Sequence, residues 1–216
     1  MSKSKNTAQN AYLELKPDER SSLVRTMGES QFRTQQINNW IYEHHVAAWV
    51  EMENLPQSLR EKLNATLPLH PLEIINITGS ETEATRKFLF KTKYGHKIES
   101  VLMHDGDRTT VCISSQVGCA VDCKFCATAS MGFIKNLSTG EIVDQVIHLQ
   151  RESKSRITNV VFMGMGEPFL NYRRVIEGAK ALNKIMGFGA RRITISTAGI
   201  VPRVKQFADE NHQFKL

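Results

Sequence analysis

The sequence contains no long apolar run. None of its hydrophobic stretches approaches the roughly 18 residues that a membrane-spanning helix needs. The first ten residues, MSKSKNTAQN, are polar and lack the apolar core of a secretory signal. We therefore expect a soluble, cytoplasmic protein that has no membrane partner.

Internal repeats are also absent, and no low-complexity block follows the short polar N-terminus. These absences argue against solenoid and other repeat folds. The 216 residues are 41% hydrophobic and 23% charged, which is typical of a globular protein. That length is enough for one sizeable core, or for one medium domain together with a small one.

Cysteine is scarce and is confined to one short segment. All four cysteines lie within residues 112–126, and none follows Cys126. In a reducing compartment, thiols grouped in this way bind a metal or act in catalysis more often than they form disulfides. The grouping therefore predicts a metal or catalytic site in this segment.

Acidic residues are fewer than basic ones. The chain has 28 Lys and Arg residues against 22 Asp and Glu residues, and its formal net charge is +6. This balance favours a polyanionic partner such as a nucleic acid, although a basic protein without such a partner would have the same charge.

The N-terminal part of the chain has a helical pattern. A polar stretch, 1–16, precedes a segment, 17–68, in which apolar residues recur at helical spacing. Pro17 suits a first helical turn, and Leu59 with Leu63 has the i, i+4 spacing of one helix face. The pattern predicts a small helical domain over 17–68.

The rest of the chain has the pattern of strands, and later of strands alternating with helices. Segment 69–108 alternates apolar and polar residues, with Gly95 and Gly106 placed for hairpin turns, which predicts an antiparallel β extension. Segment 109–216 alternates strands and helices, which predicts a parallel sheet and the α/β fold class. Because the chain ends where residues 214–216 begin a further strand, we expect this sheet to be incomplete.

Three interpretations of the cysteine segment compete. A structural zinc site usually has four ligands, often in two separated pairs, and Cys119, Cys123 and Cys126 have no obvious fourth partner. Inert core thiols would not be expected so close together. A 4Fe-4S cluster needs only three cysteine ligands if its fourth iron binds a cofactor, and loops that follow parallel strands are common sites of chemistry in α/β folds. The cluster interpretation is the one that the spacing favours.

The pattern C-x3-C-x2-C resembles the motif of the radical S-adenosylmethionine (SAM) superfamily. A longer sequence pattern resembles the dual-specificity RNA adenine-2 methyltransferase family within this superfamily. It consists of CISSQVGC at 112–119, Gly132-Phe133 and MGMGEP at 163–168. The similarity runs from about Phe32 to the end of the chain.

This resemblance implies an incomplete radical SAM barrel over 109–216, preceded by an RNA-binding helical domain over 17–68. It implies a 4Fe-4S cluster, SAM on the open iron and an external electron donor. The implied substrate is adenine carbon 2 of 23S ribosomal RNA, with transfer RNA as a second substrate in the bacterial members. A sister group methylates carbon 8 of the same kind of adenine.

The resemblance also implies roles for individual residues. Glu99 matches the family's proton acceptor and Cys112 matches a cysteine that resolves a covalent enzyme–RNA intermediate; from the residues alone they are a strand carboxylate and a strand thiol. Gly166, Glu167 and Ser196 match cofactor-binding positions. From the residues alone, these three are parts of a turn and a strand-end hydroxyl. The implied cluster ligands are Cys119, Cys123 and Cys126.

The chain departs from the family pattern in two respects. The family's methyl-carrying cysteine lies near the C-terminus, and this chain has no cysteine after Cys126. Ala129-Ser130-Met131 replaces the more usual Gly-Lys-Gln. We therefore expect that the 216-residue chain does not complete methylation alone. The alternative is a truncated or split non-catalytic paralogue that binds RNA or a partner chain.

Overall fold

The computed structural model describes residues 10–121 and 123–216. Residues 1–9 of the predicted polar N-terminal segment, 1–16, lie outside the described residues. Asp122, within the cysteine segment, is the other residue outside them.

Three short helices form the first part of the fold, as the helical spacing predicts. They are α1 (Pro17–Thr26), α2 (Phe32–Tyr42) and α3 (Gln57–Thr66). Pro17 occupies the first turn of α1, where its missing amide costs nothing. The apolar faces of the helices meet in one core that continues into the rest of the chain, and its members here include Val24, Ile37, Ile41, Trp49, Leu59 and Leu63.

A single mixed sheet of six strands forms the centre of the molecule. Its strands are β1 (Leu72–Thr78), β2 (Thr85–Thr92), β3 (Lys97–Asp105), β4 (Arg108–Cys112), β7 (Asn159–Phe162) and β8 (Ile193–Ile195), and they lie in that order across the sheet. Strands β1 to β4 are antiparallel, whereas β4, β7 and β8 are parallel. The antiparallel extension and the parallel part are therefore one continuous sheet, joined at the β3–β4 pair.

A separate two-stranded ladder projects from the carboxyl end of β4. It consists of β5 (Gln116–Gly118) and β6 (Phe133–Asn136), which are antiparallel. The cysteine loop connects these two strands. At the far edge of the main sheet, Lys215 makes one parallel bridge to Thr194, where the sequence predicts a further strand.

Three further helices accompany the parallel strands. They are α4 (Thr139–Glu152), α5 (Tyr172–Lys184) and α6 (Val201–Asp209). Helix α4 begins with a capping box, in which the Glu141 amide donates to Ser138 Oγ at 3.0 Å and the Ser138 amide donates to Glu141 Oε2 at 2.8 Å. Residues 140–149 of α4 are all buried, so this helix is central to the fold.

The predicted α/β fold class is confirmed: parallel strands alternate with helices, and helices and antiparallel strands precede them. Within residues 10–121 and 123–216, no helix is both long and apolar enough to cross a membrane. The boundaries that the sequence suggests between segments stay predictions.

A buried ion pair joins the helical segment to α4. His70 Nδ1 lies 2.5 Å from Asp144 Oδ1, and His70 Nε2 lies 2.8 Å from the Val46 carbonyl oxygen. A carbonyl and an ionised carboxylate can only accept, so both ring nitrogens must carry a proton and His70 is an imidazolium. Burial lowers the pKa of His70, but the Asp144 carboxylate and the two hydrogen bonds outweigh burial and raise it above its usual value.

This ion pair predicts a pH-dependent stability. Because the pKa of His70 is raised on folding, its contribution is fully present below the unfolded value of about 6.5 and is lost as the pH rises through the folded value. The pKa of Asp144 is lowered by His70 and His148, which together outweigh burial, so Asp144 stays ionised in this range. His70→Gln removes the nearer imidazole from the buried Asp144 carboxylate, which keeps the Leu72 amide and His148 beside it, and is expected to lower the free energy of unfolding by about 1.5–3 kcal/mol at pH 6.

Urea denaturation at pH 6 and pH 9 tests this prediction. The wild-type chain should lose stability between the two pH values, and His70→Gln should lose markedly less over the same interval. His96→Gln, in the turn between β2 and β3, is the matched control and should follow the wild type. Equal pH dependence in the wild type and His70→Gln would contradict the assignment of the charge to His70.

Candidate functional site

The candidate site lies at the carboxyl ends of the three parallel strands. After β4 the chain turns into β5, after β7 it forms the glycine-rich segment 163–167, and after β8 it forms residues 196–199. In α/β folds this edge of the sheet is where ligands bind, because the loops that leave neighbouring strands converge there.

The cysteine loop is held at its base by a close contact between two glycines. Gly118 has a φ of 70°, and a Cβ on it would overlap the carbonyl oxygen of Gly132. The Cys119 amide donates to the same Gly132 oxygen at 3.1 Å. The contact therefore requires glycine at 118 and places Cys119 directly beside the β5–β6 ladder.

The other two cysteines of the motif lie in consecutive turns of the same loop. The Cys126 amide donates to the Cys123 carbonyl at 3.0 Å, and the Ala129 amide donates to the Cys126 carbonyl at 3.0 Å. All three motif thiols are free, and Cys126 is exposed. The aromatic ring of Phe125, between them, is 93% exposed.

Backbone amides donate to two of the three sulfur atoms of this loop. Hydrogen bonds from the Thr128 and Ala129 amides to the Cys126 sulfur lower the pKa of that thiol. The Val121 amide donates to Cys119 Sγ at 3.4 Å. A depressed pKa favours the thiolate, which is the form that binds iron. Three free thiols on one loop are a donor set that fits an iron–sulfur cluster.

The glycine-rich segment after β7 lies against the backbone of the β4–β5 turn. A Cβ on Gly164 would lie 2.8 Å from the Ile113 carbonyl, and a Cβ on Gly166, whose φ is 98°, would lie 2.5 Å from Gln116 Cβ. The Met165 carbonyl accepts hydrogen bonds from the Ser115 and Gln116 amides at 2.8 and 3.1 Å. The glycines are needed because no side chain fits between these two backbones.

Glu167 is a buried carboxylate that links the ends of β7 and β8. Its Oε1 accepts from the Phe169 amide at 2.8 Å and from Thr197 Oγ1 at 2.6 Å, and its Oε2 accepts from the Ala198 amide at 2.7 Å. Its own amide donates to Gln116 Oε1 at 2.8 Å. A carboxylate has about four acceptor positions, so these three donors leave capacity for one more.

Ser196 directly follows β8 and is exposed. Its neighbours Thr197 and Ala198, rather than Ser196 itself, make the hydrogen bonds to Glu167. The structure therefore places Ser196 at the same edge of the sheet as Glu167, with its hydroxyl open to a ligand.

Glu99 and Cys112 share one face of the sheet. Cys112 pairs with Val101 of β3, and Glu99 is two residues from Val101, so all three side chains point the same way. The opposite face carries Ile98 and Ser100, which are buried towards α4. Glu99 is half-exposed, and Lys87 Nζ lies 3.0 Å from its Oε1.

Cys112 ends β4 beside the glycine-rich segment. Burial raises the pKa of its thiol, and a hydrogen bond from the Met163 amide to the sulfur partly offsets that effect. Cys112 is therefore held as a neutral thiol and differs from Cys126, whose pKa is lowered.

Several polar residues at the site have no site role predicted from the sequence. Gln116 contacts Glu167, and Asn171 Nδ2 donates to the Ser115 and Leu137 carbonyls at 2.9 Å each. Helix α4 contributes the fully buried Glu141, which binds Lys135 Nζ of β6 at 2.8 Å, and the fully buried Gln145. The signal that would have found the last two is their i, i+4 spacing, which places both on one face of α4.

One trio of metal-ligand side chains lies outside this site. His70, Asp144 and His148 have one ligand atom each within 4.8 Å of the others, and they are the one such trio in residues 10–121 and 123–216, so the thiols of Cys119, Cys123 and Cys126 are not all within that distance of one another. Both nitrogens of His70 already have hydrogen-bond partners. We interpret this trio as the ion pair described above, with His148 beside it.

Two known protein families match separate parts of the chain. Residues 12–68 match the family described as the ribosomal RNA large subunit methyltransferase N-terminal domain. Residues 113–214 match the radical SAM superfamily. The second match includes the cysteine loop, the glycine-rich segment and the end of β8.

Relatives with close sequences carry a consistent name. A probable dual-specificity RNA methyltransferase RlmN from Thermotoga sp. (strain RQ2) is 43% identical over 206 residues, which are 94% of this chain and 60% of the relative. A protein of the same name from Synechocystis sp. is 43% identical over 93% of this chain and 57% of the relative. The dual-specificity RNA methyltransferase RlmN of Syntrophobacter fumaroxidans is 44% identical over 87% of this chain and 56% of the relative.

A solved structure supports the same grouping. The crystal structure of a radical SAM methyltransferase from Sphaerobacter thermophilus superposes with a TM-score of 0.88 at 43% identity, covering 96% of this chain and 62% of that one. The chain thus spans about 60% of the length of the relatives that it matches. The two family matches and these similarities, together with the cysteine loop, show which family this is. The chain belongs to the RlmN family of the radical SAM superfamily.

Proposed function

We propose that this protein acts in radical SAM methylation of adenine carbon 2 in 23S ribosomal RNA, with transfer RNA as a second substrate. The observation that carries the proposal is the loop of three free thiols on a ladder whose first residue, Gln116, contacts Gly166 and Glu167 at the carboxyl edge of the sheet. In this proposal an external electron donor reduces the site.

Cys119, Cys123 and Cys126 would hold a 4Fe-4S cluster through their thiolates. When bound with SAM, the cluster supplies one-electron chemistry that ordinary polar methyl transfer lacks. The loop contributes thiolate character at Cys126, through the amides that contact its sulfur, and it keeps all three thiols free of disulfides. Zinc remains the competing metal, and it would need a fourth ligand.

Gly166, Glu167 and Ser196 would form the binding surface for SAM. Gly166 brings backbone close to the β4–β5 turn, and the buried Glu167 carboxylate has one acceptor position left for an ammonium group. The exposed hydroxyl of Ser196 lies at the same edge of the sheet.

Glu99 and Cys112 would face the RNA base. We assign Glu99 as the proton acceptor and Cys112 as the thiol that resolves a covalent intermediate. Their common sheet face and the raised pKa of Cys112 support the assignment, because a neutral thiol can donate a proton. Lys87, 3.0 Å from Glu99, keeps that carboxylate paired with a positive charge.

The helices of segment 17–68 would bind RNA, with 69–108 as a β extension and 109–216 as the radical SAM core. The match of residues 12–68 to a ribosomal RNA methyltransferase domain and the net charge of +6 support this division. We further propose a cytoplasmic location, because free thiols of this kind need reducing surroundings.

We also propose that the 216-residue chain does not complete methylation on its own. Its four cysteines all lie within residues 112–126, so none has the place of the family's methyl-carrying residue. The alternative function is a truncated or split non-catalytic paralogue that binds RNA or a partner chain, and the match of residues 12–68 and the net charge of +6 fit RNA binding without catalysis as well.

A product assay separates these functions. The chain is reconstituted anaerobically with iron and sulfide, then incubated with SAM, dithionite and a 23S ribosomal RNA fragment, and the products are measured by mass spectrometry. We expect 5′-deoxyadenosine without methylated adenosine. Carbon-2 methyladenosine made by this chain alone would contradict the expected incompleteness, and carbon-8 methyladenosine would contradict the carbon-2 assignment as well. RNA binding without 5′-deoxyadenosine would favour the non-catalytic alternative.

A further inference from the structure

Ser114 has a buried hydroxyl that joins two parts of the candidate site. Its Oγ donates to the Glu99 carbonyl of β3 at 2.6 Å and accepts from the Met165 amide of the glycine-rich segment at 2.9 Å. The residue is fully buried, so water does not replace either bond. One hydroxyl therefore links the strand that carries Glu99 to the segment that ends at Glu167.

Gln145 of α4 holds Ser114 from the opposite side. Its Oε1 accepts from the Ser114 amide and from Ser100 Oγ, both at 2.7 Å. Its Nε2 donates to the Ser114 carbonyl at 3.0 Å and to the Glu141 carbonyl at 3.1 Å. Gln145 thus satisfies both backbone groups of Ser114, at the point where the chain has left the main sheet after Cys112.

The fit around Ser114 admits little change. A Cβ on Gly164 would lie 2.8 Å from Ser114 Oγ, so the hydroxyl and the glycine are matched in size. Buried polar groups with all partners in place favour a single geometry, and losing one partner costs the desolvation of the other. The hydrogen bonds around Ser114 fix its position more closely than the end of a loop requires.

We propose that Ser114, fixed by Gln145, is a positioning residue that sets the glycine-rich segment, and with it Glu167, relative to β3 and the cysteine loop for binding of SAM. The proposal rests on the proposed function insofar as it concerns SAM. Its physical basis is that ligand-binding groups must be held in place before the ligand arrives, and the segment 163–167 has no strand pairing of its own.

Ser114→Ala tests the proposal, with Ser115→Ala as a matched control. Ser115 is adjacent and equally buried, but its hydroxyl makes only a 3.4 Å contact with the Met165 carbonyl. Ser114→Ala leaves the buried Met165 amide without its acceptor, so hydrogen exchange of that amide should become about tenfold faster or more. Ser115→Ala should leave that amide protected.

Calorimetric titration of the reconstituted chain with SAM gives the second readout. We expect Ser114→Ala to weaken binding by about tenfold at unchanged iron content, and Ser115→Ala to bind as the wild type does. Gln145→Met, which keeps the length of the side chain and removes its polar atoms, should reproduce the effect of Ser114→Ala. Melting temperatures of all variants show that the comparison is made on folded chains.

The outcomes separate this proposal from the proposed function. Wild-type affinity and a protected Met165 amide in Ser114→Ala would overturn the proposal, as would equal losses in Ser115→Ala. If the wild-type chain binds no SAM, the proposed function fails and so does the role of Ser114 in cofactor binding. The hydrogen-exchange rates alone then decide whether Ser114 couples the glycine-rich segment to β3.

Discussion

The Cys123→Ala chain is expected to retain almost none of the iron that the wild-type chain takes up on anaerobic reconstitution. The wild type should bind about four irons per chain, because three thiolates on one loop can hold a 4Fe-4S cluster with one iron open. Removing one of three ligands leaves two thiolates, which do not anchor such a cluster. Iron and sulfide analysis together with the visible spectrum measures the loss.

Cys112→Ala is the matched control for that result. Cys112 lies in the same segment of the sequence, but it ends β4 and its thiol has a raised pKa, whereas the pKa of Cys126 is lowered. We expect Cys112→Ala to keep the full iron content. Zinc instead of iron in the wild type, or iron retained in Cys123→Ala, would contradict the assignment of the loop as a cluster site.

Glu167→Gln is expected to have the second-largest effect. The amide can offer one oxygen where the carboxylate offers two, and its NH2 group would face the Thr197 hydroxyl or the Ala198 amide. Hydrogen bonds to a charged group contribute about 1.5–3 kcal/mol each, so the free energy of unfolding should fall by about 3 kcal/mol. Binding of SAM should weaken by about a hundredfold, since the negative charge that faces an ammonium group is gone.

Asp209→Asn controls for the change of charge alone. Asp209 ends α6 and is exposed, so the same substitution there should alter neither stability nor SAM affinity measurably. Chemical denaturation and calorimetric titration give the two readouts. Unchanged SAM affinity in a destabilised Glu167→Gln would assign Glu167 to the framework and remove it from the cofactor site.

The sequence predicted those parts of the fold that depend on local patterns. The Ser138-x-x-Glu141 spacing before an apolar run is the sequence signature of a capping box at the start of α4, and both of its hydrogen bonds are present. The hairpin turns at Gly95 and Gly106 were expected from short-range turn chemistry, and both glycines have positive φ. Features of this kind depend on residues a few positions apart, so a single sequence contains their signal.

The parts that the sequence did not predict depend on contacts between distant residues. The bond from Thr197 to Glu167 joins residues on different loops, and the bonds of Gln145 to Ser114 join a helix to a turn. The requirement for glycine at Gly118 follows from its contact with Gly132 across the base of the cysteine loop. Neither composition nor periodicity contains information on which distant side chains meet.

The cysteine loop illustrates both cases. Its spacing predicted that Cys119, Cys123 and Cys126 lie on one loop, and the structure places them between β5 and β6. The sequence suggested that the loop follows the strand directly. In the structure it does not follow β4 directly, because residues 113–115 turn away from the main sheet and the short ladder intervenes. Bonds from the Ser114 and Ser115 amides to Gln145 and Met165 stabilise that turn.

The most direct test of the central claim compares 5′-deoxyadenosine formation by the wild-type chain and Cys123→Ala, both reconstituted, reduced and supplied with SAM. A radical SAM site built on Cys119, Cys123 and Cys126 predicts product from the wild type and none above background from the variant. Equal product from both chains, or none from a wild-type chain that holds four irons, would contradict it.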